Sequence, residues 1–169
     1  MHAQPSTVVF VEGASDRVAL LRLAERHGRD LRAEGVDVVA IGGAHALGGF
    51  LASLDGRNLK LVGLCDVGEA REFTRALDHV FVCDRDLEDE LIRALGVPAV
   101  ERVIDAAGEL ESFRKFQKQP AWRGRADAEQ LRRFLGTHSG RKVQTAALLV
   151  DALDLARVPP PLDGVLAHV

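Results

Sequence analysis

Apolar and polar positions follow two different periods along the first two thirds of this chain. Four short runs, Thr7 to Val11, Val36 to Ile41, Leu59 to Cys65 and His79 to Cys83, are nearly continuous in apolar and β-branched residues. That pattern predicts strands covered on both faces. Between them the spacing turns helical: Ser15 to His27 sets Val18, Leu20, Leu21, Leu23 and Ala24 against Asp16, Arg17, Arg22, Glu25 and Arg26. Ser15 reads as the N-cap of this helix and Gly28 as its stop. Further helices are predicted over Ala46 to Leu54, Glu69 to Leu77 and Leu87 to Leu95. Strands alternating with helices of this length predict crossover connections, hence an α/β fold with a mainly parallel four-stranded sheet flanked by helices.

Beyond Gly96-Val97-Pro98 the pattern changes. Gly108 to Gly136 is polar, charged and poor in strand signals, and predicts a helical C-terminal portion of about 105–158 on a core of about 7–104, the whole of 1–169 forming one domain. Ser139-Gly140-Arg141-Lys142 reads as a basic turn opening a helix from Val143 to about Leu155. Pro159-Pro160-Pro161 is expected to end the regular structure.

Composition changes this picture little. With 47% apolar and 28% charged residues and a net charge of -3, the chain reads as an ordinary globular protein without global attraction to nucleic acid. Nucleic-acid contact would need a local basic patch. Cys65 and Cys83, the only cysteines, end apolar runs without CxxC spacing, and read as small core residues and not as a zinc site or a disulfide. Met1 to Ser6 lacks a basic segment followed by an apolar one, and no apolar run approaches membrane-spanning length. The expected location is cytoplasmic, with no membrane partner.

Candidate chemistry lies where the strands end. The first runs into Glu12, the third into Asp66 and the fourth into Asp84, and in a parallel sheet those ends share one edge. Asp16 follows Glu12 by four residues and Glu69 follows Asp66 by three, each in the first turn of a helix. Ligands of open α/β sheets bind beyond the carboxyl ends of the strands. Converging carboxylates are unfavourable there unless a cation sits among them. Acids at helix starts are also stabilised by the helix dipole alone, which suffices for Asp16 or Glu69 taken singly.

Val11-Glu12-Gly13-Ala14-Ser15-Asp16 followed by Leu64-Cys65-Asp66 resembles the Toprim domain shared by topoisomerases, primases and OLD-family nucleases, in its OLD-type nuclease variant. The resemblance runs over about residues 7–155. It implies a Toprim/Rossmann-like fold in which Glu12, Asp16, Asp66 and Glu69, with Glu88 from Leu87-Glu88, hold one or two Mg²⁺ or Mn²⁺ ions. Lys142, in Gly140-Arg141-Lys142, would stabilise charge developing on a phosphate, with Glu12 and Lys142 as the catalytic pair. The usual DxD element becomes Asp66-Val67-Gly68-Glu69, so Glu69 takes the place of the second aspartate. The implied activity is that of a metal-dependent endonuclease on nucleic acid, with DNA the expected substrate. OLD-type enzymes usually carry an ATPase, and this sequence has no phosphate-loop motif; a separate ATPase subunit and a second copy of the chain are the protein partners this leaves open.

Other groups read more simply. Asp86 fits a helix N-cap, Asp89 and Glu90 a solvated helix start, and Asp84 an outer position at the site. Gly42-Gly43 and Gly48-Gly49 lack both nucleotide-binding glycine patterns and read as turns, with His45 a loop residue. The stretch carrying Arg114, Lys115, Lys118, Arg123, Arg125, Arg132 and Arg133 with Phe113, Phe116 and Trp122 interleaved fits a nucleic-acid surface, but Phe113 and Phe116 at helical spacing read as core anchors and Trp122 fits either. The competing functional reading is a non-catalytic Toprim-like module that binds metal or a partner. A phosphotransfer domain built on Asp66 lacks the remaining groups it would need.

Overall fold

Four strands, β1 (Thr7–Val11), β2 (Val36–Ala40), β3 (Lys60–Asp66) and β4 (His79–Cys83), form one sheet in the order β2-β1-β3-β4, parallel at every pairing. The computed structural model describes residues 5–137 and 139–169. β1 is buried at all five positions because it lies inside the sheet with both faces covered. Its side chains alternate: Val9 and Val11 join Val62 and Leu64 in one apolar cluster, Val8 and Phe10 join Cys65 in the other.

Helices cover both faces. On the Val8 side lie a 3-10 turn (Ala44–Ala46), α2 (Leu47–Ser53) and α3 (Ala70–Ala76), which bury Ala44, Leu47 and Phe73. Gly63 makes the approach of α3 possible, since a Cβ there would stand 2.6 Å from the Phe73 ring and 2.9 Å from Leu77. On the Val9 side lie α1 (Ala14–Arg26), α4 (Leu87–Leu95), α8 (Ser139–Ala152) and α9 (Pro160–His168), which contribute Leu20, Leu91, Leu149 and Leu162. The intervening α5 (Val97–Ala106), α6 (Leu110–Gln117) and α7 (Asp127–Leu135) add Val100, Phe113, Leu131 and Phe134 to the same cluster. The polar C-terminal portion therefore shares its apolar core with the sheet, and Phe113 is fully buried as an anchor.

Three local expectations are corrected. The N-cap of α1 is Gly13 and not Ser15, which is buried in the first turn; the chain leaves β1 sharply enough for Asp16 to accept the Gly13 N–H at 2.9 Å. Gly140-Arg141-Lys142 is not a turn before a helix but lies inside the first turn of α8. Regular structure does not stop at the prolines, because Pro160 opens α9, where a missing N–H costs nothing.

Candidate functional site

The chain crosses from β1 to β2 on one side and returns to β3 on the other, so the sheet changes its direction of growth between β1 and β3. Such a switch point leaves a crevice at the carboxyl ends of the strands. Val11 pairs with Leu64, which sets Glu12 beside the end of β3, where its Oε1 accepts the backbone N–H of Asp66. A cleft of about 280 Å³ opens there, and Glu12, Asp16, Asp66, Cys83, Asp86 and Lys142 are among its walls.

The carboxylates are positioned by backbone N–H groups. Asp16 accepts from Gly13 at 2.9 Å, Asp66 Oδ1 from the Glu69 N–H at 3.2 Å, and Glu69 Oε2 from the Ala44 N–H at 2.9 Å. Glu69 itself is not part of the cleft wall. It is drawn toward Gly43, which is: a Cβ on Gly43 would stand 3.7 Å from Glu69 Oε1. Gly43, at φ 118°, adopts a backbone that side-chain-bearing residues rarely take. Glu88 lies on the far side of Lys142, buried at 6% exposure, with its Oε1 3.5 Å from the Lys142 ammonium. The structure thus gathers Glu12, Asp16, Asp66 and Lys142 around one space, with Glu69 behind the glycine loop and Glu88 behind the lysine.

The electrostatics match this crowding. Burial, with Asp66, Glu69 and Asp16 adding to it, raises the Glu12 carboxyl from 4.5 to about 7, against the opposing pull of the Asp66 N–H. Burial likewise raises Asp16 and Glu88, and in both cases Lys142 opposes the rise. Burial works against the charge on Lys142, yet Glu88 and Asp16 outweigh it and hold the ammonium above its ordinary range. The Cys65 thiol, pushed up to about 12 by burial and then by Glu12, and the Cys83 thiol of the cleft wall, raised by burial, are held in the neutral form.

These donors are hard oxygens carrying more negative charge than the site stabilises by itself, which is the chemistry of a divalent-cation site. Among the described residues no three His, Cys, Asp or Glu side chains stand at metal-holding geometry.

Sequence reading missed two neighbours and misplaced a third. Asp86 is the N-cap of α4, accepting from Asp89 N at 2.9 Å as its spacing suggests, but it also walls the cleft and binds Arg132 at 2.5 Å. Arg132 stands in the basic stretch of the sequence, but nothing there announces its pairing with Asp86, to which it comes from α7, 46 residues later. Glu90 is not solvated: it is buried, accepts the Asp84 N–H at 2.9 Å and pairs with Arg93 at 2.9 Å. Asp84 is largely exposed, 3.8 Å from Arg93. Phe116 and Trp122 stack with ring centres 5.3 Å apart.

A parallel four-stranded α/β sheet with carboxylates at its switch point defines a Toprim-like architecture. The comparisons agree. Residues 6–67 match the family model described as Overcoming lysogenization defect protein-like, TOPRIM domain. Among solved structures, the C-terminal region of the Burkholderia pseudomallei OLD protein superposes with a TM-score of 0.67 at 19% identity, over 98% of this chain and 97% of that one. The C-terminal region of the Xanthomonas campestris pv. campestris OLD protein gives a TM-score of 0.72 at 21% identity, over 97% of this chain and 94% of that one. No curated protein matches by sequence. Residues 6–67 thus match an OLD-like TOPRIM model, and nearly the whole chain has the fold of an OLD C-terminal region. The matched segment contains Glu12, Asp16 and Asp66 but stops before Glu69, Glu88 and Lys142.

Proposed function

We propose that this chain is a metal-dependent nuclease-type Toprim module that cleaves phosphodiester bonds of nucleic acid, with DNA as substrate. The observation that carries this reading is the meeting of Glu12, Asp16 and Asp66 at the switch-point cleft with the charged Lys142 on its wall. Glu12, Asp16 and Asp66, with Glu69 turned in from behind Gly43 and Glu88 beyond Lys142, would hold one or two Mg²⁺ or Mn²⁺ ions. A divalent ion bound there supplies positive charge for the phosphate and lowers the pKa of a water molecule.

Lys142 faces the same space, and its ammonium is kept charged by Glu88 and Asp16. It is set to stabilise negative charge growing on the phosphoryl oxygens, a contribution worth about 10²–10³ in rate for one preorganised donor. Glu12 and Asp16, on either side of the turn at Gly13, stand in the same cleft wall as that ammonium and would place the ion beside it. The buried Cys83 and Leu87 close the floor and limit water.

A non-catalytic binding module is the second reading, favoured by one feature: Gly68 contributes no carboxylate where the resembled motif has one. Nicking of supercoiled plasmid with Mg²⁺ or Mn²⁺ separates the two. The proposal expects open circles that disappear with Glu12→Ala or Asp66→Ala and fall about 10²–10³-fold with Lys142→Ala. Full activity in the Glu12 or Asp66 variant overturns the site; inactivity on every DNA and RNA with both metals leaves the binding module.

A further inference from the structure

A second, larger cleft of about 410 Å³ adjoins the acid pocket, and Asp86 and Lys142 wall both. Its other walls carry Arg85, Arg125, Arg132 and Arg133. The acids in it are largely engaged: Asp86 by Arg132 at 2.5 Å and Glu88 by Lys142 at 3.5 Å, leaving Glu129. Arg125 and Arg133 are exposed and have no ion-pair partner among the described residues. The cleft is therefore locally cationic on a chain whose net charge is -3.

This basic wall is also rigidly supported. The Arg125 guanidinium lies 5.0 Å from the centre of the Trp122 ring and donates to the Ala121 carbonyl at 2.9 Å. Trp122 stacks on Phe116, Phe116 packs on Phe134 at 5.7 Å, and Phe134 on the buried Phe113 at 5.2 Å. The Asp86–Arg132 pair ties α7 to the start of α4 beside the acid pocket. Arg125 and Arg132, held this way, lose little freedom when they meet a ligand.

We propose that this cleft binds the phosphate backbone of the nucleic-acid strand whose scissile bond enters the acid pocket, with Arg125 and Arg133 each taking a phosphate. The inference rests on the nuclease reading of that pocket and adds where the strand runs: along α7, past Lys142 and onto the acids. Recognition is through phosphate charge and is independent of sequence.

Anisotropy of a fluorescein-labelled 20-mer, as a single strand and as a duplex, measures this in EDTA, where cleavage does not interfere. The Arg125→Ala/Arg133→Ala double variant is expected to bind more weakly, and to flatten the slope of log affinity against log salt by about 1.8 on duplex and about 1.4 on single strand, two phosphate contacts' worth. Arg71→Ala/Arg75→Ala, exposed on α3, leaves both quantities at wild-type values. Trp122, the chain's single tryptophan, reports location: its emission changes as either oligonucleotide saturates.

A wild-type slope in the Arg125/Arg133 variant overturns the proposal, as does unaltered Trp122 emission at saturation or absence of wild-type binding at 50 mM salt. Plasmid nicking that persists alongside an unchanged slope removes this cleft and leaves the nuclease reading standing. A flattened slope in a protein that never nicks removes the nuclease reading and keeps the cleft as a nucleic-acid surface.

Discussion

Glu12 is costly to ionise where it stands, first because it is buried and then because other acids surround it. Its carboxyl titrates near 7 in the folded chain and near 4.5 when exposed, so the neutral form is favoured by folding. The stability this confers is complete below about 4.5 and is lost as pH rises through about 7. Glu12→Gln keeps an oxygen for the Asp66 N–H and removes the charge. In EDTA the variant should match wild type near pH 4.5 and exceed it by about 1–2 kcal/mol above pH 7.5, less than a rise from 4.5 to about 7 would give a fully buried group because Glu12 is only half-buried. Urea melts at the two pH values measure this, and equal stability at both contradicts it. Lys142 is the complementary case: Lys142→Met leaves the buried Glu88 without its cation, costing about 1–2 kcal/mol at pH 7, less than a fully buried pair because the lysine is partly exposed. Glu12, Asp16 and Asp66 were legible because parallel strands end on one edge and acids must then meet. The capture of Glu69 by the Ala44 N–H was not, since it depends on how the loop after β2 folds back, and neither was the burial of Glu90, which depends on Arg93.

Strands were the most legible elements, and β4 and α4 have the predicted bounds, because continuous apolar runs and a full acidic first turn leave little choice. α9 was not legible. Three prolines read as a terminator, yet proline is excluded only from helix interiors, and what decides is whether the following residues find something to cover. Leu162, Val165 and Leu166 do, by joining the Val9-side core. Gly164 lets this helix approach β4: a Cβ there would stand 2.6 Å from the Phe81 ring. Glycine to alanine inside a helix ordinarily stabilises by about 1 kcal/mol. Gly164→Ala should instead destabilise by about 1–3 kcal/mol, the range of core overpacking, in thermal or urea unfolding. A raised melting temperature would mean that α9 does not pack on Phe81.

Across the whole molecule, one lysine and one aspartate stand in the walls of both the acidic pocket and the basic cleft, so that the two spaces adjoin. The Toprim-like core was readable from residues that end strands; the second cleft was only half readable. The arginines around Trp122 stood out as a patch, but its position beside the acids follows from the docking of α7 on α4 through Asp86 and Arg132, a contact between residues 46 apart. A cation that neutralises the pocket also binds in competition with the Glu12 proton, so affinity should rise with pH through about 7. At 100 times its dissociation constant it should add about 2.7 kcal/mol to stability. The most direct test is calorimetric titration of the protein with Mn²⁺ at pH 6 and pH 8. Saturable binding that is tighter at pH 8 and lost in Asp66→Asn is the predicted result. Absence of binding at either pH, or undiminished binding by the Asp66 variant, would contradict the assignment of these strand-end acids as a metal site.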